Sequence, residues 1–153
     1  MAIAQTADFD EYVLEVEFTA GSGTFAKVCG LTDFSVSRTN DTGSSMVPDC
    51  ADESLPYYIK RAVTSQDISI SATGVWALAN HADMRDWWGA GSTLNVRVTN
   101  AAVTASGTAG DPEVETIPMI LTALNNARTK GQVVTAEIEL QQNGAATVTD
   151  IPA

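Results

Sequence analysis

Residues 67–98 read DISISATGVWALANHADMRDWWGAGSTLNVRV, and the fold turns on them. Ile68, Ile70 and Ala72 alternate with Asp67, Ser69 and Ser71. One side of such an extended segment is apolar and the other polar, the period-2 pattern of a half-buried strand. The period then changes. Met84, Trp87 and Trp88 stand at i, i+3 and i+4, so a short helix over 81–88 places all three on one face. Asn80 is positioned to cap that helix, its side-chain oxygen accepting from the free amides of the first turn, and Asp83 favours the positive helix end. Gly89 reads as the C-terminal stop and Gly91 as a loosened exit. Leu94, Val96 and Val98 then alternate with Asn95 and Arg97 as a second strand. Two helical turns do not hold together alone in water. Met84, Trp87 and Trp88 are therefore expected to anchor the helix to a sheet.

The flanking sequence supplies that sheet. Upstream, Tyr12 to Phe18 reads as a strand with Leu14, Val16 and Phe18 inward and Glu15 and Glu17 outward. Phe25 to Cys29 and Leu31 to Arg38 form a strand pair around Gly30, a kink or bulge. In the second of these, Phe34 and Val36 face in and Asp33, Ser35 and Ser37 face out. Downstream, Val114 to Leu124 is a strand that Pro118 demotes to an edge or a bulge. Val133 to Gln141 carries Val134, Ala136, Ile138 and Leu140 on one face and Glu137 and Glu139 on the other, Asn143-Gly144 is a hairpin-type turn signal, and Ala145 to Ile151 adds a short last strand. With no βαβ alternation, the expected fold is mainly β: an antiparallel sandwich or barrel of about seven strands with one short helix.

One domain spans residues 1–153, with a loose N-terminal arm over 1–8 and a long polar loop over 39–56. That loop holds Asp49, Asp52 and Glu53 together with Pro48 and Pro56, and ends on the apolar step Tyr57-Tyr58-Ile59. A structureless loop of this length in a compact domain is either functional or a linker. Residues 100–111, NAAVTASGTAGD, have the small polar composition of a flexible segment.

Nineteen Asp and Glu against eight Lys and Arg leave a formal charge of −11. Such a surface repels nucleic-acid phosphates and anionic membranes. The N-terminus has neither a basic n-region nor a long apolar run, so no signal peptide or membrane anchor is expected in it. Cys29 and Cys50 form no CxxC pair; their spacing permits a disulfide, and two free thiols in a reducing compartment are expected.

Catalytic chemistry has little to stand on. His81 is the one histidine and sits at a helix start, a surface or capping place. One histidine and two separated cysteines make no regular zinc site. The pairs Glu15/Glu17, Asp52/Glu53 and Glu137/Glu139 lack a calcium-loop spacing and read as solvated carboxylates. AGSGTF, residues 20–25, lacks both the GxGxxG pattern and the phosphate-loop lysine. No catalytic residue, cofactor or metal is expected.

Two stretches carry a resemblance. ISISATGVWALANHADMRDWWGAGSTLNVRV (68–98), with its MRDWW core from Met84 to Trp88, and KGQVVTAEIELQQNGAATVT (130–149) are similar to the major tail tube proteins of long-tailed phages. The resemblance covers residues 52–149 and rests on patterns of fold and packing. It implies a structural virion protein: six copies in a ring, rings stacked into a hollow tube, and inner strands of neighbours joined into one barrel around a lumen that conducts DNA. It also implies a place in the virion tail after synthesis in the host cytoplasm. Its partners would be further copies of itself, a tape measure protein, and tail tip and terminator proteins, with DNA passing unbound and no membrane contact.

The acidic charge suits such a conduit, because a wall that attracted phosphates would stall the genome. Asp33 and Asp67 are the lumen candidates, since their strands flank the long loop. Asp49, Asp52, Glu53, Tyr57 and Tyr58 in that loop are the candidates for contact between rings. Two other readings compete. A monomeric β-sandwich binding module, for carbohydrate or adhesion, would expose Trp87, Trp88, Tyr57 and Tyr58 as an aromatic platform. A secretion-system tube subunit would share the fold in a different particle.

Overall fold

The computed structural model describes residues 3, 6, 8–100 and 113–150. Most of the N-terminal arm and the polar stretch at 101–112 lie outside the described residues. In chain order the elements are β1 (Tyr12–Val16), β2 (Ala26–Lys27), β3 (Leu31–Val47), β4 (Tyr58–Val75), α1 (His81–Ala90), β5 (Leu94–Asn100), β6 (Glu113–Ala127), β7 (Thr135–Gln142) and β8 (Thr147–Asp150). All strand pairs are antiparallel, in the order β2-β1-β5-β6-β7-β4-β3, with β8 also on β6. The mainly β fold with one helix is the one expected from the alternation.

The sheet folds over on itself because β6 serves two layers. Residues 113–119 of β6 pair with β5, and residues 119–127 pair with β7. Met119 is the pivot, and it is fully buried. Pro118 sits beside it. Proline donates no amide, so a strand is weakest there. Its carbonyl accepts from Asn143 N at 2.8 Å, in the gap between β7 and β8. Asn143-Gly144 is thus no hairpin: β7 and β8 follow one another along the same side of β6. The proline marks the bend of a shared strand, with partners on both sides at 113–116.

The folded layers enclose one core. Leu14, Val16, Ile68, Ile70, Ala72, Leu94, Val96, Val98, Ile117, Leu121, Ile138 and Leu140 are buried in it, as their alternation requires. β3, at one end of the sheet path, folds back against β1 and β6. Tyr12 of β1 stacks on Phe34 of β3 with ring centroids 5.1 Å apart, and Arg38 of β3 pairs with Glu115 of β6. The carboxylate of Glu115, hydrogen-bonded to the guanidinium, raises the pKa of Arg38. Gly30 and Gly74 bring β3 and β4 together where the strands bulge. A Cβ on Gly74 would lie 2.1 Å from Gly30 O, and Gly30 itself has φ +84°.

Five local expectations change. Asn80 does not cap α1 with its side chain; Oδ1 accepts from Cys29 N at 3.0 Å, a bond to a residue far away in sequence. The helix runs through Gly89 to Ala90 and ends at Gly91, whose left-handed φ of 60° lets its amide reach Trp87 O. Met84 and Trp87 anchor the helix, each only 3% exposed, and Trp87 Nε1 donates to Ser92 O at 2.8 Å. Trp88 is 58% exposed and anchors nothing, because a short helix on a sheet buries only a narrow stripe. Glu17 does not face solvent; it is 5% exposed and its Oε1 accepts from Gly21 N. Val134 also falls outside the core.

The largest change concerns residues 39–56. The sequence predicts a loop there, yet β3 continues to Val47, and its residues 39–47 pair with Tyr58–Asp67 of β4 across a bulge between Asp41 and Thr42. Only 48–57 remain as a loop. The segment is the outer half of a two-stranded ribbon. Neither of its faces covers a core, so its side chains need not alternate.

Candidate functional site

The polar face of β3, β4, β7 and the second half of β6 is the first candidate. Antiparallel pairing aligns its residues in rows. One row runs Asp33, Thr73, Glu137, Asn125; the next Ser35, Ser71, Glu139, Ala123; the next Ser37, Ser69, Gln141, Ile120. Beyond these, Asp67 faces Thr39, and Asp41 accepts from the Ser65 hydroxyl at 3.0 Å. Asp33, Asp67, Glu137 and Glu139 are all exposed, and no Lys or Arg occurs in the rows. The structure therefore brings both lumen candidates to one face, at its opposite ends, and sets Glu137 and Glu139 nearer to Asp33 than Asp67 is. The period-2 pattern of residues 133–141 already carried the signal for these two. Glu15, by contrast, is neutralised by Arg97 at 2.6 Å, and Arg97 lies over the Phe25 ring.

This four-stranded face has two open edges among the described residues. β3 pairs only with β4, and residues 120–127 of β6 pair only with β7. Open edges invite another strand.

The ribbon is the second candidate. From Tyr58 to Asp67, β4 runs past the end of its pairing with β7, a reach of roughly 35 Å. Met46, Tyr58, Ile59 and Val63 are exposed along it. A two-stranded ribbon with bare apolar groups is marginal alone and gains stability from a partner surface. Its tip is nonetheless locally built. Asp49 Oδ1 accepts from Ala51 N and Asp52 N at 2.8 and 3.3 Å, and Asp52 Oδ1 accepts from the Ser54 hydroxyl and amide at 2.6 and 3.0 Å. The hydroxyl first, then the amide, holds the Asp52 carboxyl below its ordinary pKa. Glu53, Tyr57 and the free thiol of Cys50 are exposed on the same tip. All five loop candidates thus sit at the distal end of the arm.

Other features do not converge. Trp87 is buried under α1, while Tyr57 and Tyr58 lie at the far end of β4 from the helix, so no four-ring platform forms. His81 Nδ1 is 2.7 Å from Leu78 O, with its ring edge-on to Trp76. No group of three or more His, Cys, Asp or Glu suited to a metal occurs among the described residues. A cleft between β1, β2 and β3, lined by Phe9, Tyr12, Leu31 and Phe34, holds about 100 Å³, below the usual size of ligand pockets.

Open edges and a projecting arm with bare apolar groups are surfaces that assembly with further chains would cover. The profile of the phage tail tube protein family matches residues 6–148, and the chain belongs to that family. No curated protein matches the chain. Solved structures share the fold. The tail of an empty gene transfer agent particle, with C6 symmetry, is similar at a TM-score of 0.69 and 18% identity, over 95% of this chain and 99% of that one. The SPP1 tail tube is similar at 0.66 and 11%, over 95% and 80%. The sheath–tube complex of the PVC extracellular contractile injection system is similar at 0.61 and 10%, over 95% and 93%.

Proposed function

We propose that six copies of this tail tube protein form a ring, that rings stack into a hollow tube, and that the β3-β4-β7-β6 face lines the lumen through which DNA leaves for the host. The observation that carries this reading is the face itself: four carboxylates, hydroxyls between them and no cation, bounded by two open edges. Edge-to-edge pairing of β3 with residues 120–127 of the neighbouring copy continues the sheet and removes both edges. The C6 symmetry of the gene transfer agent tail supports six as the ring number. Asp33, Asp67, Glu137 and Glu139 keep phosphates off the wall, so DNA slides. Asp49, Asp52, Glu53, Tyr57 and Tyr58 on the arm bridge to the next ring. The tube belongs to a virion tail whose subunits are made in the host cytoplasm, and it meets a tape measure protein inside and tip and terminator proteins at its ends.

Electron microscopy of the purified protein at high concentration tests the architecture. Stain-filled tubes with six-fold end views are expected. Solid filaments, or tubes with another rotational order, overturn it. The likeness to the contractile injection tube keeps a second reading in play, a tube that slides within a sheath. Tails that shorten on triggering would distinguish it.

A further inference from the structure

We infer that the β6–β7 turn, residues 128–134, is the socket for the arm tip, residues 48–57, of a second copy stacked on the first. The inference rests on the tube reading and adds the receiving surface to it. Three observations carry it.

The first is position. β4 starts at the arm tip with Tyr58 and ends at Val75, which pairs with Thr135 at the base of the turn. Tip and turn are therefore the two ends of one continuous ribbon. A copy displaced along that direction sets its tip against the turn of the next. The contact joins two different patches, so it does not close on itself and it repeats along a column.

The second is charge. The tip carries Asp49, Asp52 and Glu53 with no Lys or Arg in 48–57. The turn carries Arg128 and Lys130 with no Asp or Glu in 128–134. Both cations are exposed, and the ion pairs among the described residues are Arg38–Glu115 and Arg97–Glu15 only. Of the other cations, Lys60 and Arg61 lie on the arm, Arg85 stands on α1 between Asp83 and Asp86, and Lys27 is on β2. Lys60–Arg61 and Arg128–Lys130 are thus two exposed, unpaired cation pairs without an adjacent acid; the first belongs to the arm itself, and the second stands at the opposite end of the ribbon, where the tip of a stacked copy would arrive.

The third is apolar surface. Val133 is 66% exposed and Val134 is 38% exposed directly beside these cations. The tip presents Leu55 and Tyr57, both exposed, beside its acids. An apolar centre rimmed by opposite charges is the composition of a specific contact. The hydrogen bonds within the tip fix its shape beforehand, which lowers the ordering cost of docking.

A charge swap tests the socket. Three variants are assembled beside the wild-type chain at about 0.15 M salt: R128E/K130E, D52K/E53K, and the four combined. Pelleted tube mass and tube length by microscopy are read, with thermal melts showing that each variant is folded. Each double variant is expected to lose tube mass by about tenfold or more, and the combined variant to regain most of it. R128E/K130E tubes as abundant as wild type, or a combined variant no better than either parent, overturn the socket while leaving the tube in place. Wild-type protein that stacks under no condition strikes at the tube reading itself, and the socket falls with it.

Discussion

Replacing Glu137 and Glu139 by lysine should convert a passive wall into one that holds DNA. Glu137 and Glu139 lie two residues apart on β7, roughly 7 Å, and Asp33 stands two strands from Glu137, roughly 10 Å. At those separations in water, like charges repel by roughly 0.4–0.6 kcal/mol before salt screening. The face is thus mildly self-repelling and strongly phosphate-repelling. Each Glu→Lys change shifts the charge by two, so the double variant takes four negative charges per protomer to zero. Around a ring of six, about 12 carboxylates give way to about 12 lysines, a net shift of about 24 charges. Both side chains are exposed, so fold stability should move by less than about 0.5 kcal/mol. Every phosphate a lysine neutralises adds about 0.9 to the slope of log affinity against log salt. The assay is dye-detected DNA release from triggered virions carrying the variant, at low and high salt. Slow release at low salt, recovering as salt rises, is expected, with E137Q/E139Q close to wild type. Tails of normal length that release DNA at the wild-type rate at both salt concentrations would refute the lumen placement of β7.

Three further outcomes follow from the packing. Gly74→Ala places a Cβ 2.1 Å from Gly30 O and 2.7 Å from Leu31 Cα, both backbone, so β3 must shift; a loss of about 1–3 kcal/mol in urea unfolding is expected. Trp87→Ala should cost about 3–5 kcal/mol by removing the helix anchor, whereas Trp88→Ala should cost less than about 0.5 kcal/mol in the free subunit, a contrast that thermal melts read directly. At the tip, Ser54 depresses the folded-state pKa of Asp52, so its contribution is present above the ordinary carboxylate pKa and fades as pH falls through the depressed value. Ser54→Ala should move the Asp52 carbon resonance titration upward towards the ordinary value; an unmoved midpoint would show that the hydroxyl does not hold that carboxylate.

The parts of the fold that were legible in the sequence are those where burial writes the pattern. Ile68, Ile70 and Ala72, and Leu94, Val96 and Val98, alternate because one face of each strand meets the core and the other meets water. The same alternation put Asp33, Asp67, Glu137 and Glu139 on polar faces, and pairing gathered them onto one. The ribbon from Thr39 to Val47 was illegible for the complementary reason: with water on both sides, no residue is selected to be apolar in step. Asn80 looked like a cap because capping is local, but its oxygen was claimed by Cys29 N, a partner that no short window contains. Trp88 followed the helical period correctly and still faced out, since the period says which residues share a face and not how wide a stripe the sheet covers. The doubling of β6 between two layers had only Pro118 as its trace.

That doubled strand has a mechanical meaning. Two sheets held face to face by side chains alone slide when sheared, because dispersion contacts resist separation better than slip. Here the bend at Met119 runs through the backbone, and β7 and β8 clamp the same strand on either side of the gap at Asn143. A shear between the two layers is carried as tension along a covalent chain. A thin-walled conduit that must bend without delaminating is served by a stitch of this kind in every subunit.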